Sequence, residues 1–328
     1  MHYKFLKYLV CPSSKEPLTL QEIHQEENGF IVSGNLSTSS GRRYPIINGI
    51  PRFVSVEGYS NSFGFEWNKW PTVQFESFNK GKPMEGHTEK MWDTITQLPR
   101  NLENKVLVEF GCGPGRFLDL INKRGGLAIG LDMSLAVEAA RKNFGHNTDI
   151  LIVQGDILNP PFKDDAFDAG YSIGVLHHTP NPKKGLENLV RITKSGGAIV
   201  CSVYPDGGFY SRLSVKRLRK LHLKLSPILG NGPAIAYSYF SAYFLSPVFN
   251  KLKKIKSLER YIKSIEKKWL VTLFLEDRRW SYLDIFDAIT PVIATTHSPD
   301  EVKNWFAEAG VKKVNKTNWN KTSLIGVK

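Results

Sequence analysis

Residues 105–117 read KVLVEFGCGPGRF: a short β-branched apolar run, an acid at Glu109, glycines at alternate positions, then an apolar stretch able to open a helix. The pattern predicts a strand, a tight glycine turn and a helix. Gly111, Gly113 and Gly115 remove side chains where a ligand must touch backbone, and the helix that follows offers free N–H groups at its N-terminus. A nucleotide-like ligand suits such a turn. The nicotinamide fingerprint G-x-G-x-x-G needs glycine at position 116, which Arg116 occupies.

Outward from this turn the same unit repeats. LAIGLDMS (127–134) reads as a buried strand ending in Asp132, whose carboxylate can accept both hydrogen bonds of a ribose diol. ILIVQGDI (150–157) is another apolar strand ending in an acid, and FDAGYSIGVLHHTPNP (167–182) reads as a fourth strand with its exit loop. A helix carrying Leu186, Leu189, Val190 and Ile192, then Gly196-Gly197 and the strand AIVCSVY, complete five βα-type units. Ser298, Pro299 and Glu301 match N-cap, N1 and N3 of a capping box that opens a last helix. Two short strands, near 311–318 and 322–327, finish the chain. Alternating strands and helices with glycine turns also occur in doubly wound folds that bind other nucleotides.

The glycine motif behind Glu109, and the acids that recur after successive strands, resemble the ordered motifs of class I S-adenosylmethionine methyltransferases through residue 205. The resemblance implies an α/β fold: a Rossmann-like, doubly wound, mostly parallel seven-stranded sheet with an antiparallel last strand. It also implies S-adenosylmethionine as cofactor. Glu109, Gly111, Gly113 and Gly115 would then form the loop beneath it, with Asp132 on the ribose and Met133 beside the adenine. Asp156 and Ile157 inherit the contact to the adenine amine, and Ser172, Ile173 and His177 lie beside the methionine part. Methyl transfer from a sulfonium is an in-line displacement, so the chain must align nucleophile and methyl and, where needed, remove a proton. His178 and His177, at the end of the fourth strand, and His297, with Asp284 and Asp287 nearby in sequence, are the candidate bases. A packing or cofactor role for these histidines is equally open.

Five segments follow. Residues 1–55, with CPSSKEPL and GRRYPIINGIP, resemble the zinc-ribbon-like activator subunit of tRNA and protein methyltransferases. Only Cys11 stands at the four places where relatives carry cysteine, Ser14, Ser37 and Ser40 filling the others, and a neutral hydroxyl is a poor ligand for structural zinc. No zinc or other metal is expected, and the small unit is expected to persist as packed β structure. Residues 56–104 form an aromatic-rich linker and cap in which Trp67 and Trp70 either roof the cofactor or pack on the core. Residues 105–208 are the cofactor-binding core, 209–290 a basic helical insertion, and 291–328 the helix and hairpin that complete the core. Asn159-Pro160-Pro161-Phe162 spells the tetrapeptide by which amino-methyltransferases of nucleic acids grip a target amine. It precedes the fourth strand instead of ending it, and reads as a turn.

The net charge of +13 is concentrated: between Phe209 and Leu275, 14 lysines and arginines face two glutamates. Amphipathic helices are expected over Ser211–Leu225 and 251–269. The uncharged stretch between them contains Pro227, Pro233 and Pro247, which argues against a span but allows contact with a membrane surface through 211–269. Such an insertion commonly builds a substrate lid. The first expectation is therefore a methyltransferase acting on a small-molecule, glycan or lipid-linked acceptor, with nucleic acid disfavoured as partner. An RNA methyltransferase and a non-catalytic S-adenosylmethionine-binding protein are the alternatives. Three scattered cysteines and the lack of a signal segment lead to a cytoplasmic expectation, with peripheral contact at the inner membrane surface left open.

Overall fold

Strands β1 (Thr19–Glu27), β2 (Phe30–Ser37), β3 (Arg43–Ile47) and β4 (Ile50–Pro51) pair antiparallel in that order as a small sheet. The computed structural model describes residues 1–55 and 60–328; residues 56–59, at the start of the 56–104 segment, lie outside the described residues. Helices α1 (Asn61–Lys69), α2 (Glu76–Asn79) and α3 (His87–Thr96) then lead into the large sheet.

That sheet opens with β5 (Val106–Phe110), all five of whose residues are buried, as a strand covered on both faces requires. Helix α4 (Arg116–Lys123), β6 (Leu127–Asp132), α5 (Ala136–Phe144) and β7 (Ile150–Gln154) follow, then β8 (Phe167–Ile173), α6 (Pro182–Ile192) and β9 (Thr193–Ser202). The insertion then supplies α7 (Leu213–Leu229), α8 (Gly232–Phe240), α9 (Ser246–Leu252), α10 (Lys256–Lys268) and α11 (Arg278–Ile289). Helix α12 (Pro299–Glu308), β10 (Lys313–Lys316) and β11 (Ser323–Val327) close the chain.

The seven strands lie in the order β10-β11-β9-β8-β5-β6-β7. β5 to β9 are parallel neighbours, and β11 runs antiparallel to both β9 and β10. This is the Rossmann-like sheet of the methyltransferase resemblance. The chain winds outward from β5 through β6 to β7, then returns to the other side of β5 with β8. A switch point of this kind leaves a crevice at the carboxyl ends of the strands.

The amino-terminal sheet docks beside β7. Phe53 donates its N–H to the Gln154 carbonyl (2.8 Å) and Val10 to the Pro161 carbonyl (3.0 Å). Phe162 is fully buried, edge-on to Phe167 at 5.2 Å, so Asn159-Pro160-Pro161-Phe162 is spent on this seam and not on the crevice. Cys11 is buried, its Sγ 3.1 Å from Tyr44 Oη and 3.4 Å from Ser13 Oγ.

In the insertion, α7 runs past the expected end at Leu225 to Leu229. Pro227 sits in its last turn, and the helix stops at Gly230, whose φ of 60° ends it. The second amphipathic helix, α10, begins at Lys256, five residues later than expected, because 251–255 finish α9 and a turn. Between them, α8, a π-helical turn over Ser241–Leu245 and α9 follow one another directly. Val215, Ala234, Ala242, Tyr282, Ile285 and Phe286 close a separate apolar core beneath this insertion. Among the described residues no helix is long and apolar enough to cross a membrane.

Candidate active site

A cavity of about 380 Å³ opens at the carboxyl ends of β5, β6, β8 and β9, between the glycine loop and the insertion. Its strand-end half grows from the sequence motifs. At Gly111, φ is 76° and an added Cβ would fall 2.3 Å from Val175 Cγ1, so only glycine fits. Gly113 donates its N–H to Asp132 Oδ2 (2.9 Å), while Ser134 donates both its N–H (2.8 Å) and its hydroxyl (2.7 Å) to Asp132 Oδ1. One carboxylate thus ties the end of β6 to the loop after β5. Burial nevertheless raises the Asp132 pKa, against the pull of those hydrogen bonds.

Glu109, Met133, Asp156, Ile157 and Ile173 also border the cavity. Glu109 accepts a hydrogen bond from Tyr171 Oη (3.0 Å), and burial holds its carboxyl well above the usual range. Asp156 is capped by the Leu158 N–H (2.8 Å). Arg116, at the place that excluded the nicotinamide fingerprint, borders the cavity with its guanidinium 4.4 Å over the Phe117 ring.

Four sequence candidates stand behind the wall. Gly115 is the N-cap of α4, where φ is 92° and a Cβ would meet Phe144 Cε2 at 2.4 Å. Ser172 is buried in the sheet and donates its hydroxyl to the Phe110 carbonyl (3.1 Å). His177 is fully buried, its ring centroid 3.6 Å from that of Tyr204 and 4.1 Å from that of His178. His297 places Nε2 2.8 Å from Thr295 Oγ1 and Nδ1 2.9 Å from Glu301, locking the start of α12. None of these four borders the cavity.

His178 does. Its Nδ1 lies 2.7 Å from the Ile293 carbonyl, an acceptor only, so this nitrogen carries the proton and donates. Nε2 is left as an acceptor without a hydrogen-bond partner among the described residues. Burial lowers the His178 pKa, which keeps the ring neutral near pH 7.

The far half of the cavity comes from distant segments. Helix α1 contributes Phe63, Glu66 and Trp67; the Trp67 ring lies against the glycine loop, with Nε1 3.2 Å from where a Gly113 Cβ would be. Trp70 instead packs into the insertion, its ring 4.7 Å from Tyr282 and 5.4 Å from Phe286. Tyr204 and Tyr210 stack at 3.4 Å. Helix α11 presents Trp280, Leu283, Asp284 and Asp287, spaced three, one and three residues apart and so on a single face. Tyr204 Oη donates to Asp287. Burial, then Asp287, pushes the Asp284 carboxyl up to about 7, with Arg116 pulling the other way. Sequence reading missed Glu66, Tyr204, Tyr210 and Trp280; the face shared by Trp280, Leu283, Asp284 and Asp287 is the signal by which part of this wall is detectable.

Residues 108–201 match the family profile described as "Methyltransferase domain". Over 203 residues the chain is 29% identical to the tRNA (carboxymethyluridine(34)-5-O)-methyltransferase of Arabidopsis thaliana, a match covering 60% of this chain and 43% of that one. It is 31% identical over 120 residues to the demethylmenaquinone methyltransferase of Corynebacterium kroppenstedtii, covering 35% of this chain and 50% of that one. The chain thus spans about half the length of these curated relatives. A solved complex between the Haloferax volcanii Trm112 methyltransferase activator and a methyltransferase aligns with a TM-score of 0.44 and 18% identity, over 83% of this chain and 99% of that one. The ordered motifs, the seven-stranded sheet and the match over residues 108–201 agree on a methyltransferase domain of the S-adenosylmethionine-dependent kind in the core of this chain.

Proposed function

We propose that the chain transfers a methyl group from S-adenosylmethionine to an acceptor bound beneath the insertion. The observation that carries this reading is a single cavity reaching from the bare backbone of Gly111 and Gly113 and the Asp132 carboxylate to the His178 imidazole. The residues present suit the cofactor. The Asp132 carboxylate can accept from a ribose diol, Met133 and Ile157 offer apolar faces to adenine, and Asp156 can accept from its amine. Ile173 borders the path of the methionine part, while Ser172, His177 and Gly115 support that wall from behind. S-adenosylmethionine supplies, when bound, an electrophilic methyl group on a sulfonium.

The chain's own contribution is alignment, exclusion of water and removal of a proton. His178 suits proton removal, because Ile293 fixes its Nδ1–H and the free Nε2 is the basic atom on the wall. His297, held by Thr295 and Glu301, is assigned the structural role of fixing α12. Titration calorimetry with S-adenosylmethionine tests the reading. Micromolar binding is expected, and Asp132→Ala should weaken it about 10- to 100-fold, the range for losing a buried hydrogen bond to a charged group. No binding by the native chain would overturn it.

For the acceptor, the relatives whose names specify modification of tRNA, two of them by methyl and one by carboxymethyl transfer, favour RNA over the small, glycan or lipid-linked acceptor put first on sequence grounds. The lysines and arginines of α7 and α10 are a suitable surface for phosphates. A second reading, a lipid-linked or small acceptor met at an anionic membrane surface, draws on Phe240, Tyr243, Phe244 and Val248, all exposed on one stretch of the insertion beside those cations. Transfer RNA binding that falls steeply with salt, with no retention on phosphatidylglycerol vesicles, supports the first; the reverse supports the second.

A further inference from the structure

Three carboxylates converge on the acceptor side of the cavity, and one of them has no counterpart. Glu66 is fully buried on α1, borders the cavity, and neither carboxylate oxygen meets a hydrogen-bond donor among the described residues. Asp284 and Asp287 stand one turn apart on the face of α11 that borders the same space. Among the described residues lining the cavity, Arg116 is the sole lysine or arginine; it acts on Asp284, and Arg219 behind the wall acts on Asp287, whereas Glu66 has no cation or donor beside it. Trp67, Trp280 and Tyr210 add aromatic faces to the same wall.

A buried carboxylate without a donor is costly, and acids this close raise one another's affinity for protons. Both effects are present: burial, then Asp287 and Asp284, holds the Glu66 carboxyl well above its usual range. A ligand bearing several N–H donors and a positive charge would satisfy the Glu66 oxygens and discharge the repulsion, and aromatic rings around it add to the attraction. An anionic group placed there would meet like charge.

We infer that Glu66, Asp284 and Asp287, with Trp280 and Tyr210, form a subsite for a protonated amine carried by the methyl acceptor. This inference rests on the methyl-transfer reading of the cavity. It concerns how the acceptor is anchored and leaves the identity of the methylated atom open. The competing occupant of the acids is the cofactor itself, through its sulfonium and ammonium groups.

Calorimetry on the full-length chain separates these cases. S-adenosylhomocysteine is titrated first; the saturated protein then receives benzylamine, which is protonated at pH 8, or benzyl alcohol, its neutral counterpart. The native chain should prefer benzylamine by about tenfold, and Glu66→Gln or Asp284→Asn should cut that preference below about threefold without moving S-adenosylhomocysteine affinity. Either variant suffices should the other fail to fold, as judged by its thermal melt. Equal binding of the two probes overturns the subsite. So do variants whose loss is in S-adenosylhomocysteine affinity, which would assign the acids to the cofactor. Preference for benzylamine in a chain that binds no S-adenosylhomocysteine would retain the cation subsite and remove the methyl-transfer reading.

Discussion

The two ends of the cavity are built differently. At the strand-end half, the key polar atoms are satisfied by close neighbours in the chain or by the adjoining loop: Asp132 by Ser134 and Gly113, and Asp156 by Leu158. At the acceptor half, the groups come from α1, the loop after β8, the segment after β9 and α11, and two of them, Glu66 and the Nε2 of His178, have no hydrogen-bond partner among the described residues. A local turn can complete its own hydrogen bonds before any ligand arrives. Side chains brought together by distant helices are held by packing, and their unmet hydrogen-bonding capacity is what a ligand can use.

The largest expected effect comes from removing the group assigned to take the acceptor's proton. His178→Ala should lower single-turnover methyl transfer by about 10²- to 10⁴-fold, the usual contribution of a positioned base, while calorimetric S-adenosylmethionine affinity stays near native. Unchanged turnover would withdraw the assignment and blur the contrast between the two ends.

At the strand end, Gly115→Ala tests whether the loop is fixed by backbone rather than by ligand contact. The residue lies off the cavity with φ at 92°, and its Cβ would strike Phe144. A loss of about 1–3 kcal/mol of stability is expected from strain and overpacking, read as a lower Tm. Native-like stability would mean the turn and Phe144 yield more easily than their packing suggests.

A smaller effect with a definite sign follows from Asp284. Its carboxyl stands at about 7, above the ordinary 3.8, because of burial and Asp287, with Arg116 opposing. Glu66 faces it from α1. The folded state therefore holds the proton more tightly than the unfolded state, and this group's stabilising contribution is lost as pH rises from about 4 to 7. Asp284→Asn removes that loss. Its melting temperature should gain on the native chain progressively over that range and level off above it; a gap independent of pH would contradict the placement of this acid.

Much of the fold was legible because its determinants are local. Strands β5, β6, β7, β8 and β9 are short apolar runs that announce themselves by composition, and the turn after β5 is punctuated by glycines that side chains would obstruct. The capping box was equally visible, and Ser298 does accept from the Glu301 N–H at 3.1 Å. The end of α7 was not, because the position of a proline within a last turn depends on how the following glycine folds back. Adjacent residues also parted: His178 borders the cavity while His177 points into the stack with Tyr204, and chain position alone does not distinguish them.

The amino-acid sequence by itself determined the parallel sheet and its order of glycine and acidic turns, since strand pattern and turn chemistry are set over a few neighbouring residues, and the cofactor class followed from the family those motifs resemble. Only the tertiary structure decided which histidine reaches the cavity, that Gly115 and Ser172 stand behind its wall, and that Glu66 shares the cavity with Asp284 and Asp287. Those side chains are far apart in the chain, and the burial that makes their charges matter exists only once α1 and α11 close over the same space.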